Sequence, residues 1–225
     1  MFKLIKAVTQ TMVLFGGLLL LPAGTWRWPR AWWFLGVVFV GTVATVVSLL
    51  LVNEDLLNER MKPAIQKSQP LPDKILTVLL LIASFGLTIF IPLDVFRFHL
   101  LRHTGLLAAS LGMALFICGW CIITAALLQN PYAAPVVKYQ EERRQTVVVA
   151  GMYSVVRHPM YAGAIAVFIG MPLWLGSYAA AFLAAAPISV LAARMVFEEK
   201  FLREKLDGYG DYTRRVRRRL VPFVW

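Results

Sequence analysis

The chain has 225 residues, 59% of them hydrophobic and 16% charged, with 23 Lys and Arg against 12 Asp and Glu. Ordinary soluble domains carry about 45–50% apolar and about 25% charged residues, so this composition excludes a water-soluble or disordered protein. Two cysteines exclude a disulfide scaffold. A net charge of +11 fits either nucleic acid or a membrane surface, and the apolar fraction decides for the membrane.

A bilayer core about 30 Å thick needs roughly 20 apolar helical residues. Six stretches approach that length, at 7–23, 31–52, 75–93, 104–128, 160–175 and 178–197. The first follows Lys3 and Lys6 like a secretory signal, but it lacks a small-residue cleavage site before a soluble domain and reads as a retained span. Four tryptophans, Trp26, Trp28, Trp32 and Trp33, crowd the first turnaround and suit an interfacial belt, as does Trp225. The loop 53–74 spaces Leu56, Leu57, Met61 and Ile65 like a short surface-lying helix, stopped by Pro63, Pro70 and Pro72. Gly176-Ser177-Tyr178 is the only break between the fifth and sixth stretches, which predicts a tight helical hairpin.

Six spans put both termini on one side. Nineteen of the 23 basic residues fall there, and only Arg27, Arg30, Arg97 and Arg102 fall opposite. That asymmetry predicts cytoplasmic termini in an all-α, multi-pass membrane protein, without distinguishing a bacterial inner membrane from an endoplasmic reticulum. The basic run Arg214 to Arg219 reads as a juxtamembrane cluster facing anionic headgroups, with no nucleic acid partner.

Polar chemistry concentrates after residue 128. The chain therefore divides into N-terminal spans, 1–128, and a C-terminal region, 129–225, that carries the candidate site. His158-Pro159 marks a helix start, where Pro is favoured and free amides offer a site for a carboxylate or phosphate. Tyr153, Arg157, His158 and Tyr161 crowd that start. Arg194, Glu198 and Glu199 close the sixth span. The bland reading of Arg194 and Glu198 is an i,i+4 ion pair at a frayed end. Ionisable groups at a membrane face more often serve a cavity, and the hairpin should bring these beside His158.

The pattern Gly151-x-Tyr153-x-x-x-Arg157-His158-Pro159-x-Tyr161-x-Gly163 is followed by a hydrophobic hairpin and Arg194-x-x-x-Glu198-Glu199. Gly208-Tyr209-Gly210-Asp211-Tyr212 and the basic tail come next. Together, over about 130–225, these pieces resemble the isoprenylcysteine carboxyl methyltransferase family, which is related to the membrane phospholipid N-methyltransferases. The resemblance implies an S-adenosylmethionine-dependent methyltransferase with a cytoplasm-facing cofactor pocket and a lipophilic acceptor entering from the bilayer. It carries cofactor contacts onto Gln140, Gln145, Thr146, Val147, Val148, Tyr153, His158, Pro159, Met160, Tyr161 and Glu198. It carries substrate binding onto Arg194, and a catalytic role onto Arg194 and Glu199. The chain departs from the family at Met152, where Pro is usual, and at Gln145, where His is usual; the loop before Gln145 also differs in length.

These residue types suit the reaction. Glu198 would take the cofactor's ammonium or offset its sulfonium, helix-start amides and His158 would face its carboxylate, and Tyr153 and Tyr161 would contact the sulfonium or adenine. In-line methyl transfer gains mainly from alignment. A carboxylate acceptor arrives ionised and needs only orientation by Arg194. An amine acceptor must first lose a proton, which asks more of Glu199 or His158. Carboxyl O-methylation of an isoprenylcysteine-like amphiphile is the leading expectation, with phospholipid amine N-methylation the alternative.

Two other classes compete. A membrane reductase using NADPH can share the Arg-His-Pro string, but the Glu-Glu pair favours methyl transfer. A scaffold or transporter fits poorly with polar residues gathered at one end and no ionisable residue deep in the first five spans. Cys118 and Cys121 have redox-type spacing inside a span and read as small hydrophobes. His99 and His103 lack further spaced ligands, so no metal site is expected. Trp174 and Phe168 read as lipid or helix contacts, and the oligomeric state stays open.

Overall fold

The computed structural model describes residues 1–67 and 69–220. Trp225, expected in the interfacial belt, lies outside the described residues. Nine α-helices run in order among those residues: α1 (Phe2–Ala23), α2 (Pro29–Val52), α3 (Glu54–Arg60), α4 (Leu71–Leu93), α5 (Leu106–Gln129), α6 (Pro159–Leu175), α7 (Tyr178–Leu183), α8 (Ala185–Lys205) and α9 (Tyr209–Arg215). They contain no β-strand, so the protein is an all-α, multi-pass membrane protein.

All six apolar stretches are helical. Five, Phe2–Ala23, Pro29–Val52, Leu71–Phe98, Leu106–Gln129 and Tyr178–Lys205, are long and apolar enough to cross a membrane. The remaining one, α6, has only 17 residues. Pro29 and Pro159 occupy first-turn positions of α2 and α6, where a missing N–H costs nothing. Gly24, at φ 66°, ends α1 in the left-handed conformation that glycine tolerates best. The sixth stretch is broken at Ala184, because Pro187 cannot donate to the Leu183 carbonyl and its ring crowds that carbonyl.

The core gathers Leu19, Phe34, Val38, Leu87, Ile91, Phe116, Met171 and Leu175. Phe34 and Phe116 meet with ring centroids 4.9 Å apart. Helices α5 and α6 touch backbone to backbone. A Cβ on Gly170 would stand 2.5 Å from the Gly112 carbonyl, and one on Gly163 would stand 2.6 Å from the Gly119 carbonyl. Close approach through small residues is how helices pack where lipid supplies no hydrophobic drive. Outward faces carry exposed Val40, Leu51, Leu106, Leu107, Leu111 and Phe182.

Several local expectations change. Trp26, Trp32 and Trp33 are exposed, but Trp28 is buried and meets Phe96 edge-on at 5.2 Å, so it belongs to the core and not to a belt. Helix α3 is docked rather than surface-lying: Leu56 and Leu57 are buried with Val46, Leu49 and Leu127. Its start is capped by Asn53, whose side-chain oxygen accepts from Leu56 N at 3.0 Å. Cys118 and Cys121 are exposed and unpaired on α5.

The two ends of the bundle differ. At one end α4 continues as a π-helical turn, Asp94–Phe98. Buried Asp94 accepts there from the Ser177 hydroxyl at 2.6 Å and the Leu100 N–H at 2.9 Å. Arg30 donates to both oxygens of Thr104, and the Thr104 hydroxyl donates to Leu173 O. His99 and His103 lie edge-on nearby, and no group of three possible metal ligands occurs among the described residues. The opposite end gathers the start of α1, α3, the end of α5 and the start of α6. Lys3 there reaches Glu54 at 2.5 Å.

Candidate active site

At this second end lies a cavity of about 330 Å³. Its wall combines Arg60, the α4 residues Thr77, Leu80 and Leu81, and the loop between α5 and α6. The start of α6, Arg194, Glu198 and Leu202 of α8, Leu206, and Tyr209 and Tyr212 of α9 complete it. The cavity is polar toward the loops and apolar along the flank of α4.

The start of α6 is held by the tail. Arg157 N–H donates to Arg218 O at 3.0 Å, and His158 N–H to Arg219 O at 2.9 Å. These two amides, which precede the first turn of α6, are taken by main-chain carbonyls. Met160 N–H has no protein acceptor among the described residues, and Met160 lines the cavity.

Beneath this start sits a buried ion cluster. The Glu199 carboxylate accepts from Arg157 Nε at 2.7 Å and from Arg219 Nε at 3.2 Å, and lies 3.1 Å from His158 Nε2. Arg157 also donates to Val216 O at 2.7 Å. With both oxygens engaged, Glu199 ties α6, α8 and the tail together. It is not among the residues lining the cavity, unlike the other residues of the cluster's α6 start, Arg157 and His158. Glu198, its neighbour, does line the cavity and accepts the Tyr161 hydroxyl at 2.5 Å. Adjacent helical residues point about 100° apart, which separates two roles that look identical in sequence.

Arg194 does not make the i,i+4 pair with Glu198. Its Nε donates to Asp73 at 2.8 Å, and a terminal nitrogen donates to Pro135 O at 2.8 Å. Asp73 is fully buried and also accepts from Gln69 at 2.6 Å and Val137 N at 2.9 Å. Two of the five guanidinium N–H groups of Arg194 are thereby used and three remain for a ligand.

The remaining expected contacts fall as follows. Gln145, Thr146, Val147, Val148, Tyr153, His158, Pro159, Met160 and Tyr161 all line the cavity. Residues 145–148 form no regular secondary structure, and the backbone N–H groups of Thr146, Val147 and Val148 find no protein acceptor among the described residues. Gln140 is not in the wall: it is buried, donates to Tyr132 O at 2.8 Å and accepts from Arg143 at 2.9 Å, so it shapes the loop. Tyr153 is pushed up to about 12 by burial and stays a neutral phenol. Its carbonyl accepts the Tyr212 hydroxyl at 2.8 Å, which docks α9 over the cavity. Arg60, Tyr209 and Tyr212 also line the cavity, and the Tyr-rich segment after α8 is the only sequence signal for the last two.

No curated protein matches the chain. The model of the phospholipid methyltransferase family matches residues 107–208, from the start of α5 to just past α8. That segment supplies most of the cavity wall, while Arg60, the α4 residues and α9 lie outside it. Over residues 107–208 the chain is similar to the phospholipid methyltransferase family, and that match supports a membrane methyltransferase.

Proposed function

We propose that the cavity binds S-adenosylmethionine and that the protein methylates a lipophilic acceptor drawn from the bilayer. The observation that carries this is the meeting, in one cavity, of Arg194, Glu198, His158 and Tyr161 with Leu80 and Leu81 of α4. Volumes of about 300 Å³ and above are typical of small-molecule sites. The donor set suits the cofactor: unpaired main-chain groups at 146–148 for a purine edge, phenol rings at Tyr153 and Tyr161, and the Glu198 carboxylate for a cation. When bound, S-adenosylmethionine supplies an electrophilic methyl group on a sulfonium.

The leading acceptor is the carboxylate of an isoprenylcysteine-like amphiphile. Such a nucleophile is already ionised, and the three remaining donors of Arg194 would orient it without a general base. Its tail would lie along the apolar flank of α4. A second reading, methylation of a phospholipid amine, is favoured by His158, which lines the cavity and is held by its Nε2 at 3.1 Å from Glu199, within reach of an acceptor amine. The nineteen basic residues gathered at the cavity end support a cytoplasmic placement of termini and site.

The test is transfer of radiolabelled methyl from S-adenosylmethionine to defined acceptors in vesicles, a farnesylcysteine derivative against phosphatidylethanolamine, with the product identified by mass. Label in the first supports the leading reading, and label in the second supports the alternative. Tight NADPH binding with no S-adenosylmethionine binding would overturn both.

A further inference from the structure

The charged groups in the cavity wall mostly carry their own counter-ions. Lys138 meets Glu59 at 2.6 Å, Arg157 meets Glu199 at 2.7 Å, and Arg194 meets Asp73 at 2.8 Å. Among the described residues two are left uncompensated. Glu198 has the Tyr161 hydroxyl but no cation within 4.0 Å, and Arg60 has no carboxylate within that distance. Arg60 donates one N–H to Ala133 O at 3.0 Å, which leaves four of its five.

Arg60 is brought there by the local fold. Leu56 and Leu57 are buried on the inner face of α3, and Arg60 follows them at i+4 and i+3, on the same face. The side chain therefore turns inward, where a surface arginine would snorkel out to water. Burial and the neighbouring Arg194 guanidinium both hold its pKa below the ordinary arginine value, with Tyr153 acting weakly the other way. A half-buried guanidinium without a counter-ion is costly unless something completes it. Every other cation in the wall is completed by the chain itself.

We propose that Arg60 is an oxyanion-binding residue of this cavity, taking a carboxylate or phosphate of the bound ligand on the donors that Ala133 leaves free. With Glu198 it makes a two-signed site, suited to ligands that bring an anion and a cation together. The proposal rests on the methyl-transfer reading for the identity of the ligand. Two sources supply the oxyanion: the amino-acid carboxylate of the cofactor, or the acidic head of the acceptor. Arg60 lies outside the matched segment 107–208, so the N-terminal half would contribute binding chemistry as well as span.

The experiment uses the full chain in nanodiscs, with R60Q and R60K beside the wild type. Binding of S-adenosylhomocysteine and of decarboxylated S-adenosylmethionine is measured by calorimetry, and KM for a farnesylcysteine derivative by methyl transfer. A charged hydrogen bond is worth about 1.5–3 kcal/mol, or roughly ten- to hundredfold in affinity. If the cofactor supplies the oxyanion, R60Q weakens S-adenosylhomocysteine by that factor and leaves the decarboxylated cofactor unchanged. If the acceptor supplies it, cofactor affinity holds and KM rises by the same factor. R60K, which keeps charge but loses the fork, should fall between. If R60Q does not fold, R60K carries the test and must still lose at least threefold. Unchanged affinities and KM in the folded variants overturn the Arg60 assignment alone. A wild type that binds no S-adenosylhomocysteine overturns the methyl-transfer reading, and this assignment with it.

Discussion

Each end of the bundle buries an acid, and the two acids live differently. Among the described residues Asp94 is met by neutral donors, the Ser177 hydroxyl and the Leu100 N–H, within the turns that join helices. Asp73 is met by the Arg194 guanidinium, and Arg194 lines a cavity. The first arrangement is closed: each polar group finishes its bonding within the connection between two helices, which fixes how they turn. The second is open. Its fixed charges are partly matched, and the two unmatched ones, Arg60 and Glu198, line the cavity.

That contrast can be broken by experiment. The largest effect is expected from D73N, which leaves the Arg194 guanidinium buried without its counter-ion, a loss of about 3–5 kcal/mol. Unfolding in detergent should show the drop, and methyl transfer by the folded fraction should fall too. Next comes D94N, which spoils one of two hydrogen bonds for about 1–3 kcal/mol. Here the unfolding midpoint should fall while turnover per folded molecule stays at the wild-type value. A D94N enzyme crippled in turnover would show that the closed end is coupled to the site.

Smaller effects sharpen the comparison. Y161F removes the hydroxyl that Glu198 accepts and leaves the ring stacked on His158, whose centroid lies 5.3 Å away. The expected loss is roughly tenfold in kcat/KM, the value of one charge-assisted hydrogen bond, with the unfolding midpoint little changed. The double change C118S and C121S, on the exposed face of α5 and far from any polar network, should shift stability by less than about 0.5 kcal/mol and leave activity alone. A loss of turnover there would reopen a redox role for the pair.

The elements were legible where length and punctuation speak. The apolar runs of α2 and α5, the His158-Pro159 start and the Gly176-Ser177 turn are all local signals, and each stands where periodicity put it. What the sequence hid is what distance in the chain hides. Arg194 and Asp73 are 121 positions apart, and Asp73 by itself is an ordinary acid in the first turn of a helix. Arg60 looks like one more basic residue on the basic side. Glu198 and Glu199 differ only in which way the helix turns them. The break at Pro187 inside the sixth stretch was equally local but masked by alanines on both sides.

Helix α6 is seven residues shorter than α5, its antiparallel partner, and it ends level with the start of α5 at the closed end, where Thr104 N–H donates to Gly176 O. At 1.5 Å per residue that difference is about 10 Å. The start of α6, with His158 and Met160, is thus sunk by that depth below the plane where α5 ends, and the chain between them roofs the hollow. The depth of the reaction chamber is a count of helical turns. No single side chain sets it, so it resists point substitution and yields only to inserting or removing a turn of α6.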